Sequence, residues 1–277
     1  GRSIGFRLRR NLHALIEKTG IPFISTQMGK GVEDERSELY IGTTALSTGD
    51  FMHRAFESAD LVLMIGHDIT EKPPLVLERE KRPAIIHINF YQAHVDEVYV
   101  PSLEVVGDIA HTLWAMGEQV VKQPTWDFSS FLLIRDALRG HIASFSHLET
   151  FPIRPERVVS DLREVLPPEA IVSLDNGMYK IWMARNYPAY EQNTVLLDNA
   201  LATMGAGLPA GIAAKLLYPD RPVVVLAGDG GFLMNVADLE TAVRLKLDLV
   251  ILILNDQGYG MIQWKQTEMG LPSFGLG

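Results

Sequence analysis

The chain has 277 residues, which is enough for two domains of ordinary size, each with its own hydrophobic core. Apolar residues make up 47% of it and charged residues 21%, as in globular proteins, and no apolar run is long enough for a transmembrane helix. A net charge of −9 argues against nucleic acid or an anionic membrane as a partner, and the absence of cysteine excludes disulfides and thiolate metal sites.

Residues 1–121 alternate between helical and strand-like segments. The basic opening segment has the composition of a transit peptide, but its apolar residues recur on one helical face, which favours the first helix of a domain. These residues are Leu8, Leu12, Leu15 and Ile16. The next elements are strand Ile21–Thr26, helix Asp50–Ser58, strands Leu61–Ile65 and Ala84–Ile88, and a helix from the N-cap Asp108 through Gly117. The alternation predicts a Rossmann-like, doubly wound α/β domain, although the chain has no GxGxxG motif.

Residues 122–153 have the pattern of a connection between domains. Prolines lie near both ends, and an amphipathic helix is predicted between them, from Trp126 to His141. We expect this helix to pack on a neighbouring domain, so the segment is interpreted as an inter-domain linker.

Residues 154–277 have the pattern of a second parallel α/β domain. The predicted elements are a helix at Val158–Leu166, a strand at Ile171–Leu174, a helix with Leu208, Ile212 and Leu216 on one face, and buried strands at Val223–Ala227 and Leu249–Leu254. Between the last two strands, Asn235 is predicted to begin a helix in which Val236, Leu239 and Val243 recur at helical spacing. The chain begins at a helix and stops early in this domain, so we expect a fragment in which both doubly wound domains are incomplete.

Polar and glycine residues follow the last two predicted strands. Gly228-Asp229-Gly230 comes after the first and Asn255–Gly258 after the second. Strand, helix and strand form one crossover unit, so these two strand ends are expected to meet at the edge where open parallel sheets bind ligands. Carboxylate and carbonyl oxygens there suit Mg²⁺, and glycines let the backbone approach a diphosphate. Either segment alone is equally typical of a tight turn.

The pair of segments resembles the thiamine diphosphate (ThDP) motif, and the spacing from Asp229 to Asp256 is that of the family. The resemblance implies that Mg²⁺ is held by the side chains of Asp229 and Asp256, where many members have Asn at the second position, and by the Gly258 carbonyl. The cofactor-binding positions that it implies in these segments are Gly228, Asp229, Gly230, Gly231, Asn255, Asp256, Gly258, Tyr259, Gly260 and Met261.

Two earlier segments resemble acetolactate-synthase-type enzymes in particular, namely GIPFISTQMGKG at 20–31 and ADLVLMIGHDITEKPP at 59–74. The FAD-containing branch of that family has an arginine-containing segment after the second strand. Residues 67–72 contain no arginine. We therefore do not expect FAD, and the central domain is interpreted as mostly scaffold.

The resemblance also assigns residues upstream of the metal motif. Gly177, Met178 and Tyr179 match the positions that touch the diphosphate, with Met-Tyr in place of a frequent Gln-His pair. The Ala202 carbonyl and the Met204 N–H would contact the aminopyrimidine ring, and the Met204 side chain would hold the cofactor bent. Without the metal motif, Met204 would be interpreted as an ordinary core methionine.

Met261 and Trp264 follow the metal motif and correspond to residues that line the substrate pocket in the family. Trp264 lies one position closer to the motif than is usual. With Met204, they complete the predicted catalytic set.

The resemblance implies a ThDP- and Mg²⁺-dependent carboligase that decarboxylates pyruvate and joins the two-carbon unit to a second 2-oxo acid, as in branched-chain amino acid biosynthesis. It also implies a cytoplasmic homodimer or homotetramer, in which a partner subunit contributes a missing N-terminal domain with a catalytic glutamate. This chain alone is then expected to be inactive. The alternatives are a pyruvate oxidase, a 2-oxo acid decarboxylase, or a non-catalytic binding or assembly module.

Overall fold

The computed structural model describes residues 5–44, 51–68, 71, 83–95 and 99–276. The chain divides into two compact units, Gly1–Ser144 and Phe145–Gly277. The division falls inside the segment predicted as a linker, whose ends at 122 and 153 stay predictions. Within the described residues, every paired strand is parallel to its neighbour, which confirms the predicted α/β class.

In the first unit, helices and strands alternate along the chain. The helices are α1 (Phe6–Thr19), α2 (His53–Ser58), α3 (Ile109–Gln119) and α4 (Ser129–Ser146). The strands are β1 (Phe23–Ser25), β2 (Tyr40–Thr43), β3 (Leu61–Ile65), β4 (Ala84–Asn89) and β5 (Leu103–Val106). Strand β1 pairs with β2, and β3, β4 and β5 lie side by side in chain order.

The predicted features of α1 and α3 are confirmed. The four apolar residues predicted for the inner face of α1 are buried, and they pack in one cluster with Ile109 and Leu113 of α3. Asp108 caps α3, since its Oδ1 accepts a hydrogen bond from the His111 N–H at 2.7 Å.

Other boundaries in the first unit differ from the prediction. Helix α2 begins at His53, and Asp50 lies outside the described residues. The predicted linker helix begins three residues later than expected, at Ser129, because the Asp127 carboxylate accepts the Ser129 N–H at 2.9 Å and ends the preceding turn. Strands β2 and β5 were not predicted because each has four residues and lacks a continuous apolar run with turn residues around it.

The second unit contains one parallel sheet with the order β7-β6-β8-β9. Its strands are β6 (Ile171–Leu174), β7 (Val195–Leu196), β8 (Val223–Gly228) and β9 (Val250–Leu254). Its helices are α5 (Pro155–Val165), α6 (Met178–Asn186), α7 (Gly207–Leu217), α8 (Asp229–Met234), α9 (Leu239–Arg244) and α10 (Gly260–Glu268).

Strands β6 and β8 form the centre of this sheet and are almost completely buried. Strand β9 was predicted to be buried on both faces, and this is wrong. It is the edge strand of the described sheet, and Val250 and Ile253 are 59% and 40% exposed. Apolar composition alone does not distinguish a central strand from an edge strand.

The chain between β8 and β9 does not form the single predicted helix. It enters α8 directly at Asp229, passes through a 3₁₀ turn at Val236–Asp238 and continues as α9. The Asn235 side chain caps neither helix, because its amide donates to the Gly205 carbonyl instead. Val243 is 76% exposed and Leu216 on α7 is 51% exposed, so the helical spacing of these apolar residues does not correspond to burial.

Candidate cofactor site

The carboxyl ends of β6, β8 and β9 lie side by side. Leu174 is in register with Leu226, and Gly228 is in register with Leu254. Asp175, the first residue after β6, donates its backbone N–H to the Leu226 carbonyl at 2.9 Å. The segments that follow the three strands therefore start at one edge of the sheet, as the sequence predicted for the last two.

Gly230 brings the β8 end, the β9 end and an earlier loop together. A Cβ atom at Gly230 would lie 2.8 Å from Tyr259 Cε1 and 3.5 Å from Met204 Cε. Any side chain larger than hydrogen at this position would collide with the tyrosine ring. Glycine is thus required here for the close approach of Tyr259.

Asp256 lies over the start of α10. A Cβ atom at Gly260 would be 2.8 Å from Asp256 Oδ2 and 3.4 Å from Met178 Cγ. The carboxylate is therefore close to the first turn of α10, where unpaired N–H groups favour negative charge. Met178 at the start of α6 is brought to the same place.

Tyr179 lies between the two sets of glycines. Its ring packs against Gly177 and Gly228, and its buried hydroxyl donates to no acceptor in the described part of the chain. Burial raises the pKa of the Tyr179 hydroxyl strongly, and the negative charges of Asp175, Asp256 and Asp229 add to the rise, while the Gly228 N–H opposes it.

Asp175 is a site residue that the sequence analysis did not assign. Its side chain is 1% exposed, and Oδ1 accepts the N–H groups of Asn176 at 2.7 Å and Gly205 at 2.8 Å. Burial raises the pKa of the Asp175 carboxyl, and these backbone hydrogen bonds oppose the rise. The other oxygen, Oδ2, has no partner among the described residues and fills the space where a Gly231 side chain would lie. An acidic residue directly after a buried central strand was the available signal.

The remaining predicted residues lie nearer the surface. Ala202 and Asn255 are exposed, and the Asn255 side chain accepts the Gln257 N–H at 3.1 Å. Gly258 faces the Leu276 carbonyl, which also accepts the Tyr259 N–H at 3.1 Å. Met261 and Trp264 lie on α10, where Trp264 is 47% exposed.

The residues at this edge fit a diphosphate cofactor with Mg²⁺. Asp229, Asp256 and the Gly258 carbonyl would supply hard oxygen ligands, and the Tyr179 hydroxyl is a donor without an acceptor among the described residues. The described residues contain no cluster of three or more His, Cys, Asp or Glu side chains suited to a metal. A Mg²⁺ site with two carboxylates does not need one, because phosphate oxygens and water complete the coordination.

Two family models match the chain. The model for the thiamine pyrophosphate enzyme central domain matches residues 1–116, and the model for the C-terminal TPP binding domain matches residues 175–275. Together they cover most of the chain. The chain belongs to the thiamine pyrophosphate enzymes.

Several relatives of the chain are named acetolactate synthase, the family that the sequence analysis proposed. The chain is 32% identical over 263 residues to acetolactate synthase from Bacillus subtilis (strain 168), an alignment that covers 92% of the chain and 45% of the relative. It is 30% identical over 234 residues to the catabolic acetolactate synthase of Raoultella terrigena, which covers 83% and 42%. Pyruvate oxidase from Lactiplantibacillus plantarum (strain ATCC BAA-793 / NCIMB 8826 / WCFS1) is 28% identical over 267 residues, which covers 96% and 44%.

The recognition of a ThDP enzyme with acetolactate synthase relatives is confirmed, since thiamine pyrophosphate and thiamine diphosphate are the same compound. The chain spans about half the length of the curated relatives it matches. None of the helices in the described ranges of this thiamine pyrophosphate enzyme is long and apolar enough to cross a membrane.

Proposed function

We propose that this chain is the cofactor-binding part of an acetolactate-synthase-type carboligase, which decarboxylates pyruvate and joins the two-carbon unit to a second 2-oxo acid. One observation carries the proposal. The end of β8 lies beside the end of β9, Gly230 packs between Tyr259 and Met204, and Asp256 lies beside Gly260 and Met178. This arrangement supports placing the diphosphate, metal and ring-binding positions at one edge of one sheet.

We assign roles to the metal-binding and diphosphate-binding residues from this arrangement together with the family resemblance. Asp229, Asp256 and the Gly258 carbonyl hold Mg²⁺, and the Tyr179 hydroxyl donates a hydrogen bond to the diphosphate in place of the histidine that is frequent in the family. When bound, ThDP supplies the carbon nucleophile and the electron sink of the reaction. The protein positions the cofactor and excludes water from it. We propose no role for FAD, and the segment on which that view rests lies partly outside the described residues.

Met261 and Trp264 are proposed to face the substrate from α10. Trp264 is half-exposed, so its indole ring offers an apolar surface to the methyl group of a small 2-oxo acid such as pyruvate. The neighbouring Lys265 ammonium is paired with Glu268 at 2.6 Å and is not assigned to the substrate carboxylate.

The complete enzyme is proposed to be a cytoplasmic homodimer or homotetramer, in which a partner subunit contributes the catalytic glutamate. On this basis the 277-residue chain alone has negligible turnover. Acetolactate formed by the pure chain with pyruvate, ThDP and Mg²⁺ would contradict this part of the proposal.

The second candidate is a pyruvate oxidase, because a relative of that name matches 96% of the chain. The two activities give different products from pyruvate. Acetolactate from the full-length protein supports the carboligase, whereas an oxygen-dependent loss of pyruvate without acetolactate supports the oxidase.

Titration calorimetry with ThDP and Mg²⁺ tests cofactor binding directly. We expect the wild-type chain to bind ThDP only when Mg²⁺ is present, and Asp229→Ala to weaken binding at least about tenfold, since a hard anionic ligand is lost. Asp248→Ala, which removes an exposed carboxylate just before β9, serves as the control and should bind like the wild type. Failure of the wild-type chain to bind, or equal binding by Asp229→Ala, would refute the metal site.

A further inference from the structure

Three side chains at the end of β6 and the start of α6 hold the loop formed by residues 198–205. Asp175 Oδ1 accepts the Gly205 N–H at 2.8 Å, and Asn176 Nδ2 donates to the Thr203 carbonyl. The Lys180 ammonium donates to the Asp198 carbonyl. The loop is therefore bonded through its own backbone at its first residue and at two positions near its end.

Lys180 also determines which way the Asn176 amide faces. Its ammonium donates to Asn176 Oδ1 at 2.8 Å, and the lysine is only 8% exposed. With the amide oxygen occupied, the Asn176 NH₂ group is directed to the Thr203 carbonyl. The lysine thus acts on the loop both directly and through the asparagine.

A fourth side chain reaches the loop from the other side. Asn235, which follows α8, donates its amide to the Gly205 carbonyl at 2.7 Å. Gly205 has a φ of +89°, and a Cβ atom there would lie 2.8 Å from Asn235 Nδ2. Gly205 is consequently fixed at both its N–H and its carbonyl, in a conformation that favours glycine.

The side chains of this loop make little apolar contact with the rest of the unit. Leu201 is 89% exposed, and Ala202 and Thr203 are also exposed. Met204 is the exception, because its methyl group lies near Gly230. Hydrogen bonds from Lys180 and Asn176 restrain residues 198 and 203, and those of Asp175 and Asn235 restrain Gly205.

We propose that Asp175, Asn176, Lys180 and Asn235 form a clamp that positions the Ala202 carbonyl and the Met204 N–H for the aminopyrimidine ring of ThDP. They are positioning residues, because they act through the loop rather than on the cofactor. The inference rests on the proposed function, in which residues 202 and 204 contact that ring.

The first test compares ligands that use different halves of the site. In the full chain, Asn176→Ala and Asn235→Ala each remove a donor to a loop carbonyl, and each should weaken ThDP·Mg²⁺ binding about five- to tenfold. Mg²⁺-pyrophosphate lacks the ring, so its affinity should stay within about twofold of the wild-type value. The control is Asn193→Gly, which removes an exposed asparagine at φ +58° without backbone strain.

A purely structural role would weaken both ligands together, and this result, or unchanged ThDP binding, would overturn the clamp. Hydrogen exchange of the cofactor-free chain distinguishes failure of the clamp from failure of the proposed function. Faster exchange at residues 198–205 in both variants supports the clamp even if the wild-type chain fails to bind ThDP, in which case the proposed function alone falls. Unchanged exchange in a chain that does bind ThDP refutes the clamp alone.

Discussion

The polar side chains inside this chain differ in whether they have hydrogen-bond partners. Asp175 and Asn235 are bonded to backbone groups, whereas both ring nitrogens of His67 lack a partner among the described residues. His67 packs on the Tyr99 ring at 5.3 Å between centroids. An imidazole in such surroundings is costly to protonate.

The His67 environment predicts a pH dependence of stability. Burial, and then the charge of His87, lowers the pKa of His67 to about 4, from 6.5 when exposed, while Asp68 opposes the shift. The unfolded chain therefore takes up a proton that the folded chain refuses. The stability contribution is complete above pH 6.5 and decreases as the pH falls towards 4, by about 2 kcal/mol at pH 5.

Urea unfolding at pH 7 and pH 5 measures this effect. His67→Phe keeps a ring against Tyr99 and removes the titration, so its loss of stability between the two pH values should be smaller than that of the wild type. An identical loss in both proteins would assign the acid sensitivity to other groups.

At the same scale, Gly230 is predicted to tolerate no side chain. Gly230→Ala places a methyl group 2.8 Å from Tyr259 Cε1, so the ring must move at a cost of about 1–3 kcal/mol. We expect ThDP·Mg²⁺ affinity in calorimetry to fall at least about tenfold. Gly140→Ala in α4, where a Cβ meets nothing within 4 Å, is the control and should unfold at a slightly higher temperature. Normal cofactor affinity for Gly230→Ala would contradict the packing described.

The elements show which parts of the structure were accessible from the sequence. A run of Val, Leu and Ala identified β8, and α1 followed from four apolar residues at helical spacing. Strand β7 has only two residues and leaves no such pattern. Val243 recurs at helical spacing with its apolar neighbours, but periodicity predicts only which residues share a helix face. It does not predict whether that face is buried, and Val243 is exposed.

The same limit applies to the site. Asp229 and Asp256 were predicted because each follows a recognisable strand, and the motif is local on both sides. Asp175 was missed because its role depends on Gly205, which is 30 residues away in the chain. Contacts of that kind are created by the tertiary fold, and the local signal was limited to the position of Asp175 directly after a buried strand.

The contrast between the buried strand β8 and the exposed side of α9 gives a stability prediction. Leu226 in β8 is completely buried, and Leu226→Ala should reduce the free energy of unfolding by about 2–5 kcal/mol through lost burial and a cavity. Val243→Ala on α9 removes methyl groups from a side chain that is 76% exposed, and it should change stability by less than about 0.5 kcal/mol. Denaturant titrations of the two variants check this. Comparable losses would mean that something covers Val243 in solution.

For the whole molecule, the chain consists of two units, and the proposed cofactor site lies within the second. A ligand that binds only the folded state stabilises it by mass action, by about 2.7 kcal/mol at one hundred times its dissociation constant. ThDP binding should therefore raise the stability of residues 145–277.

Hydrogen exchange followed over both units measures this. With ThDP and Mg²⁺, exchange should slow across β6, β8 and β9, and excess EDTA should reverse the protection because the diphosphate then loses its cation. Asp229→Ala should show clearly less protection under the same conditions, because its affinity for ThDP is lower. Protection that persists in EDTA would mean that the cofactor is held without the metal.

The carboxylate beneath Gly231 has a consequence for protein engineering. Asp175 Oδ2 occupies the volume that any larger residue at 231 would need, so the two positions behave as a single steric unit. A library that randomises 231 alone should return glycine. Other residues should become acceptable there only when 175 is shortened in the same clone, at the expense of the bond to Gly205. Covariation between these two sites would then be a signature of the site in sequences selected for activity.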